Sequence, residues 1–311
     1  MKGKKHKKTK KPKYKADKNR LFPLFFLLLC FLIIAFLGSI MIPKLFSDAT
    51  SKNQKTIVLK SLSLPTVTSS STVTQLPTPT QIPTPTPYSG FCLKVPVLMY
   101  HHVQPSAMAK EKGQSGLTVD SGIFDQQMGY LVSNGYTSIS GLQLIEALRN
   151  HTPLAPKSVV ITLDDGYRDA YEYAYQILQK YHLTANMAIP TGLMEGTDYL
   201  TWGQIQEMSR SGLIYFMDHT WSHSSLGNAD INKIKYEVET AKQQLEQKTG
   251  QGINIFVYPY GSFGNNVINV LQQDGFVGAF STIQGLVQCD TFIMDLHRTR
   301  IGNTSLSYYG L

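Results

Sequence analysis

The stretch SVVITLDDGY, residues 158–167, decides the fold. Its first six residues form a short apolar run rich in β-branched side chains, which is typical of a buried strand. The run ends at Asp164 and Asp165, followed by Gly166. Functional residues of parallel sheets and barrels lie just beyond the carboxyl ends of the strands. The stretch therefore predicts a buried strand with a candidate site at its end.

Similar apolar runs recur on both sides of this strand, at residues 95–100, 185–190, 213–217, 253–258 and 275–281. Helical patterns lie between them, at residues 168–182, 201–212, 231–250 and 265–275, and several of these end in glycine, a helix stop signal. Alternation of strand and helix at this spacing predicts an α/β domain with a parallel sheet covered by helices. An open doubly wound sheet and a closed barrel both fit this order.

The positive charge of the chain is concentrated in residues 1–20, a basic tail with 11 Lys or Arg and one acid. The whole chain carries +8, so the remainder has 18 basic against 20 acidic residues. A nucleic-acid-binding protein needs its basic patch on the folded surface. The distribution therefore argues against nucleic acid as a partner.

Residues 21–43 predict a transmembrane anchor. From Leu21 to Ile42 there are 22 residues without a charge, about the length needed to cross a ~30 Å hydrocarbon core. The positive-inside rule keeps the basic tail cytoplasmic and puts the rest of the chain outside the cell membrane. The alternative is a cleaved signal peptide, whose apolar core is usually about 7–15 residues long.

Residues 44–90 form a Pro/Thr-rich linker, because repeated Pro-Thr favours extended, semi-rigid chain. We expect this linker to hold a folded domain, residues 91–311, away from the membrane. Cys92 and Cys289 both belong to that domain. An oxidising compartment permits a disulfide between them, and two free buried thiols fit the sequence equally well.

A metal site is predicted from two strand ends. Asp165 follows the first quoted strand, and His219 and His223 follow the strand at 213–217, with a spacing that puts two imidazoles on one face of a helical turn. Two imidazoles and a carboxylate suit Zn²⁺, and also Co²⁺ or Ni²⁺, with open positions for water. Asp164 would be the base that accepts a proton. The structural alternatives are an Asp-Gly turn and a surface helix.

Two further segments could complete such a site. In FVYPYGSFG, residues 256–264, Gly261 permits a turn that exposes the Tyr260 amide to a developing oxyanion, although an aromatic strand cap explains the segment as well. In LMYHHV, residues 98–103, His101 follows a strand and could protonate a leaving amine. His297 is the competing acid.

The motifs TLDDG, HTWSH and FVYPYG, in this order, resemble those of the NodB-homology polysaccharide deacetylases of carbohydrate esterase family 4. The resemblance extends from Val95 to Ile301 and implies an irregular (β/α) barrel that removes acetyl groups from an N-acetylated glycan polymer. It implies that Asp164 is the catalytic base and that the Tyr260 amide stabilises the oxyanion. The metal ligands that it implies are Asp165, His219 and His223.

The chain departs from the family pattern at three places, one of which is the terminal Leu-x-His pattern, blurred here into DLHR, residues 295–298. Val257 stands where the family often has an arginine, and the later aspartate that orients the base is absent from AFSTIQG, residues 279–285. The MYHH and YPYG segments are similar to those of extracellular poly-β-1,6-N-acetylglucosamine deacetylases, in which an early histidine replaces a late one, and this favours His101 over His297. Deacetylation of peptidoglycan or O-acetylated xylan, and sugar binding with weak catalysis, are the alternative functions.

Overall fold

The computed structural model describes residues 88–311. The predicted tail, anchor and nearly all of the linker lie outside the described residues. Within residues 88–311, none of the helices has the length and apolar character needed to cross a membrane.

The described chain alternates strands and helices, as the sequence predicts. The strands are β1 Cys92–Lys94, β2 Val97–Tyr100, β3 His102–Gln104, β4 Thr118–Asp120, β5 Thr137–Ile139, β6 Ser158–Leu163, β7 Ala185–Ile189, β8 Ile214–Asp218, β9 Ile255–Val257, β10 Gly278–Gln284, β11 Val287–Cys289 and β12 Leu296–Arg300. The α-helices are α1 Ser106–Glu111, α2 Ser121–Ser133, α3 Gly141–Arg149, α4 Gln176–Tyr181, α5 Trp202–Arg210, α6 Ile231–Thr249 and α7 Asn265–Gln273. A π-helical turn, Ala170–Tyr175, leads into α4.

Seven parallel strands close into a barrel in the order β2–β6–β7–β8–β9–β10–β12, and β12 returns to β2. Closure is visible in the register, since Thr299 of β12 pairs with Leu98 of β2, and Leu98 pairs in turn with Ile161 of β6. β6 has two partners on the same side. β5 pairs with the amino-terminal half of β6, and β7 pairs with the carboxyl-terminal half of β6. The barrel therefore replaces the open sheet that the sequence left possible.

Side chains alternate between the barrel interior and the layer under the helices, as the pleat of a strand requires. On β6, Val160 belongs to the interior cluster, whereas Val159 and Ile161 belong to the larger outer cluster. The other interior positions supplied by barrel strands are Val97, Ala188, Met217, Ile255, Val257, Phe280 and Leu296. Side chains of α3 contact this interior cluster. The same alternation decides which side chains beyond the strand ends point into the barrel mouth.

Local signals explain where the helices begin and end. Ser140 and Gln143 form a reciprocal capping box at the start of α3, and Thr201 and Gln204 do the same at α5. α6 begins at an Asp230 cap and ends at Gly250, whose φ of 70° is readily adopted by glycine. The ends of α5 and α6 lie within two residues of the predicted ones, whereas α3 was not predicted.

A disulfide fastens the two ends of the described domain. β1 and β11 pair in antiparallel fashion with Cys92 opposite Cys289, and their sulfur atoms are bonded. β1 precedes the first barrel strand and β11 precedes the last. The cross-link therefore lies next to the seam where the barrel closes, and it settles the choice between a bridge and free thiols.

Candidate metal and catalytic site

Asp165, His219 and His223 come together at the carboxyl end of the barrel. Oδ1 of Asp165 lies 3.3 Å from Nε2 of His219 and 3.1 Å from Nε2 of His223. One ligand atom from each of the three side chains lies within 4.8 Å of the others. The proximity of the Asp165 carboxylate to both rings is the arrangement on which the metal-site prediction depends.

Each histidine of this cluster is oriented by a second contact. Nδ1 of His219 donates to the carbonyl oxygen of Val257 at 2.7 Å. Because a carbonyl can only accept, this bond keeps a proton on Nδ1 and turns Nε2 toward Asp165. Nδ1 of His223 lies 3.1 Å from the hydroxyl of Tyr260. Both rings therefore present Nε2 to the same point.

The prediction that the two histidines share a helical turn is wrong. Residues 219–224 form irregular chain, in which Thr220 and His223 have φ values of 66° and 60°. Glu237 of α6 holds this segment by accepting hydrogen bonds from the amide of Ser222 and the hydroxyls of Ser222 and Ser224. The histidines therefore converge through a braced loop, and such strained backbone persists only where the surroundings hold it.

The donor set fits a divalent ion. Two ligand atoms that are each about 2.0–2.1 Å from a tetrahedral ion lie about 3.3 Å apart. The separations of 3.3 and 3.1 Å from Asp165 to the two rings match this value. Burial by itself raises the pKa of the Asp165 carboxyl, but the hydrogen bonds and charge of His219 and His223 outweigh it and hold the pKa well below its usual range.

Asp164 is held by an arginine that the sequence analysis did not identify. Arg298 of β12 is fully buried, and its two terminal nitrogens donate to the two carboxylate oxygens of Asp164, each at 2.8 Å. Burial raises the pKa of Asp164, but the charge and hydrogen bonds of Arg298 outweigh it and lower the pKa. Asp164 is therefore an oriented carboxylate that is ionised near neutral pH.

Arg298 orients Asp164, a role that the sequence left open because the later aspartate expected to orient the base is absent from residues 279–285. Its Nε donates to the carbonyl of Ser281 at 2.8 Å, and a terminal nitrogen lies 3.1 Å from the hydroxyl of Thr162. The available signal was an arginine in the segment LHRTRIG, residues 296–302, near the end of the domain. The pairing could not be read from it, because the two partners are 134 residues apart.

The two candidate acids lie on opposite faces of the barrel wall. His101 continues the interior face of β2 and lines the same cleft as Asp164 and Asp165. Burial lowers the pKa of His101, and the charges of Asp164 and Asp165 oppose that shift. His297 precedes Arg298 on β12, so its ring points away from the interior, where it stacks on Phe292 with ring centroids 4.5 Å apart. The geometry thus favours His101.

Tyr260 lies at the rim of the site. It occupies a tight turn, Pro259–Gly261, with φ of 60°, and its side chain is 71% exposed. Gly261 also has positive φ, and a Cβ there would lie 2.1 Å from the hydroxyl of Thr282, so only glycine fits. The turn brings the ring and the hydroxyl of Tyr260 next to His223.

These side chains line a cleft of about 730 Å³ at the barrel mouth. Most of the lining residues are aromatic or polar, and the full set is Met99, His101, Leu117, Asp164, Asp165, Tyr167, Tyr199, His219, His223, Tyr258, Tyr260, Thr282, Gln284 and Arg300. The chain is thus a (β/α)-barrel protein with a candidate metal site and an oriented carboxylate in one cleft, which is the constellation of a metal-assisted hydrolase.

Comparisons with known proteins identify the family. Residues 151–279 match the family described as polysaccharide deacetylase. YxkH of Bacillus subtilis is 27% identical over 208 residues, which cover 67% of this chain and 71% of that protein. The poly-β-1,6-N-acetyl-D-glucosamine N-deacetylase of Escherichia coli K12 is 28% identical over 243 residues, which cover 64% of this chain and 35% of that protein.

Solved structures agree with this assignment. The Streptococcus pyogenes deacetylase PplD, determined in complex with acetate, superimposes with a TM-score of 0.63 and 29% identity, covering 67% of this chain and 92% of that one. The chain carries a polysaccharide deacetylase domain of the NodB-homology type, carbohydrate esterase family 4, which confirms the resemblance of its motifs.

Proposed function

We propose that this protein is a metal-dependent hydrolase that removes N-acetyl groups from an extracellular polysaccharide containing N-acetylglucosamine. The observation that carries the proposal is the convergence of Asp165, His219 and His223 beside an Asp164 carboxylate locked by Arg298. Amide hydrolysis needs a polarised carbonyl, an activated water and a proton for the leaving amine. This cleft offers groups suited to each need.

The roles follow from the position of each group. A bound divalent ion would polarise the acetyl carbonyl and make a water molecule more acidic. Asp164, fixed at both oxygens, accepts a proton from the attacking water. The amide of Tyr260, at the rim of the cleft, stabilises the developing oxyanion. His101, on the interior face of β2, donates a proton to the departing amine.

The substrate class is inferred from the relatives and the cleft. The matched Escherichia coli protein is named for its action on poly-β-1,6-N-acetyl-D-glucosamine, and relatives in Staphylococcus carry the same name. The region of similarity covers 35% of the Escherichia coli protein and 55% of the Staphylococcus epidermidis one. The proposal therefore assigns to this chain the deacetylation step alone, acting on an N-acetylated glycan.

We propose that the catalytic domain lies outside the cell and is tethered by residues 21–43. The uncharged run and the basic tail before it support this topology. The bond between Cys92 and Cys289 agrees with it, because disulfides persist in oxidising compartments.

Acetate release from β-1,6-linked N-acetylglucosamine oligomers tests the reaction. In Asp164→Asn the amide is nearly isosteric but cannot accept the proton, so acetate release should fall by about 10²–10⁴-fold while the bound metal, measured by elemental analysis, is retained. Asp125→Asn is the matched control, since Asp125 is a surface residue that pairs with Lys180. Unchanged release from Asp164→Asn would refute its role as the base.

Parallel assays separate the alternatives. The same enzyme is offered peptidoglycan fragments and O-acetylated xylan, and the highest kcat/KM identifies the preferred class. Binding of oligomers without acetate release from any of them would instead favour a sugar-binding module.

A further inference from the structure

A second pocket lies beside the catalytic cleft and is connected to it. The cleft shares Leu117, Tyr167 and Tyr199 with a smaller cleft of about 330 Å³. That cleft shares His102, Gln114 and Asp198 with a pocket of about 670 Å³, which we name the outer pocket. A continuous depression therefore leads away from the candidate catalytic residues, in the direction that a polymer chain could follow.

The floor of the outer pocket contains buried polar groups. His102 is 2% exposed, and its Nδ1 lies 2.6 Å from Asp169, which leaves Nε2 as the ring nitrogen that can meet a ligand. The ring of Tyr167 stacks on His102 with centroids 3.6 Å apart and fixes its plane. This histidine is therefore held rigidly without contributing to the cluster of Asp165, His219 and His223.

Gln104 is the second buried polar group that lines the outer pocket. It is fully buried, and its side-chain nitrogen donates to Gln114 and Thr118. Its side-chain oxygen has no hydrogen-bond partner within residues 88–311. An unpaired buried acceptor costs free energy, and a hydrogen-bond donor entering the pocket would reduce that cost.

The outer pocket has an excess of negative charge. Lys112 donates to Asp198 at 3.4 Å, and Arg168 donates to two backbone carbonyls. These two cations face four carboxylates, those of Glu111, Asp169, Glu172 and Asp198. With His102 uncharged the excess is two negative charges, and with His102 protonated it is one. The pocket therefore favours a cationic ligand that also donates hydrogen bonds.

We propose that the outer pocket binds a glucosamine residue, with its amine protonated, in the same polysaccharide chain whose acetyl group lies in the catalytic cleft. This inference rests on the proposed deacetylation. Removal of an acetyl group leaves an amine, so a partly processed polymer carries cations beside residues that are still acetylated. The enzyme would accordingly prefer chains on which it has already acted.

Three tetrasaccharides test the proposal: one is fully N-acetylated, one carries a single glucosamine at the reducing end, and one carries it at the non-reducing end. The wild-type enzyme should show a KM about threefold to tenfold lower for one of the amine-bearing substrates. Glu111→Gln with Glu172→Gln should abolish this difference by raising KM for the amine-bearing substrate, because the two carboxylates that attract the amine are removed. Raising the salt concentration should also reduce the difference, because exposed charges are screened.

Glu239→Gln is the matched control, an exposed acid on α6 outside the pocket, and it should keep the preference. Equal KM values for all substrates, or a preference that persists in the double variant, would overturn the proposal. Calorimetric binding of the tetrasaccharide of glucosamine gives an independent measure, with a Kd expected to rise about threefold to tenfold in the double variant. If no substrate releases acetate, the proposed function fails, and an unchanged Kd would separately eliminate the subsite.

Discussion

At the scale of single residues, the pairing of Arg298 with Asp164 is the contact that turns a buried carboxylate into a candidate base. Both side chains lie almost completely out of water, at 0% and 3% exposure. A buried carboxylate without a partner would take up a proton, and the guanidinium prevents this. Asp164 is thus kept ionised and oriented by the same two hydrogen bonds.

Arg298→Lys tests that contact. Lysine keeps the charge but cannot make two parallel hydrogen bonds, so Asp164 should lose its fixed orientation. We expect kcat for acetate release to fall about 10–100-fold with a much smaller change in KM, since a well-placed base contributes about 10²–10⁴-fold. Arg210→Lys, at an exposed position on α5, is the control. If Arg298→Lys and Arg210→Lys lost the same fraction of kcat and the same amount of folding stability, Arg298 would have no specific positioning role.

At the scale of secondary-structure elements, the barrel depends on short strands that meet their neighbours over few residues. β8 and β9 share a single registered pair, Asp218 with Phe256, and β12 meets β2 over two pairs. The seam between the first and last barrel strands is therefore thin. The disulfide between β1 and β11 lies next to this seam and joins residues 197 positions apart.

Replacing both cysteines by serine should lower the free energy of unfolding by about 2–5 kcal/mol, because the cross-link restricts the unfolded chain. The midpoint of denaturant unfolding measures the change. A reductant should shift the midpoint of the wild-type protein and leave that of Cys92→Ser with Cys289→Ser unaltered. Identical midpoints for wild type and double variant would show that the bridge does not support the seam.

At the scale of the whole molecule, the candidate metal ligands belong to two separate parts of the barrel. Asp165 follows β6, whereas His219 and His223 follow β8, with β7 between these strands in the sheet. Only folding brings these three side chains together, so an ion held by all of them would bind the folded chain and not the unfolded one. Metal binding and barrel stability should therefore be linked.

Removal of the metal by a chelator should lower Tm by roughly 5–10 °C, which corresponds to about 2.7 kcal/mol for a ligand present at about 100 times its Kd. Differential scanning calorimetry with and without added Zn²⁺ measures this shift. His219→Ala should have a Tm that responds to neither chelator nor metal. A response of that variant equal to the wild type would place the ion elsewhere.

The sequence by itself determined the strand at Ser158–Leu163, five further barrel strands and the family, because apolar periodicity and motifs are properties of neighbouring residues. It also named the three side chains that converge, since they directly follow strands whose ends meet. It did not reveal β12, the strand that closes the barrel, or helices α1, α2 and α3. Only the tertiary structure decided that the sheet closes, that Cys92 bonds Cys289, and that Arg298 holds Asp164. Each of these depends on strand register and on which face a side chain occupies, and both are fixed by packing between segments far apart in the chain.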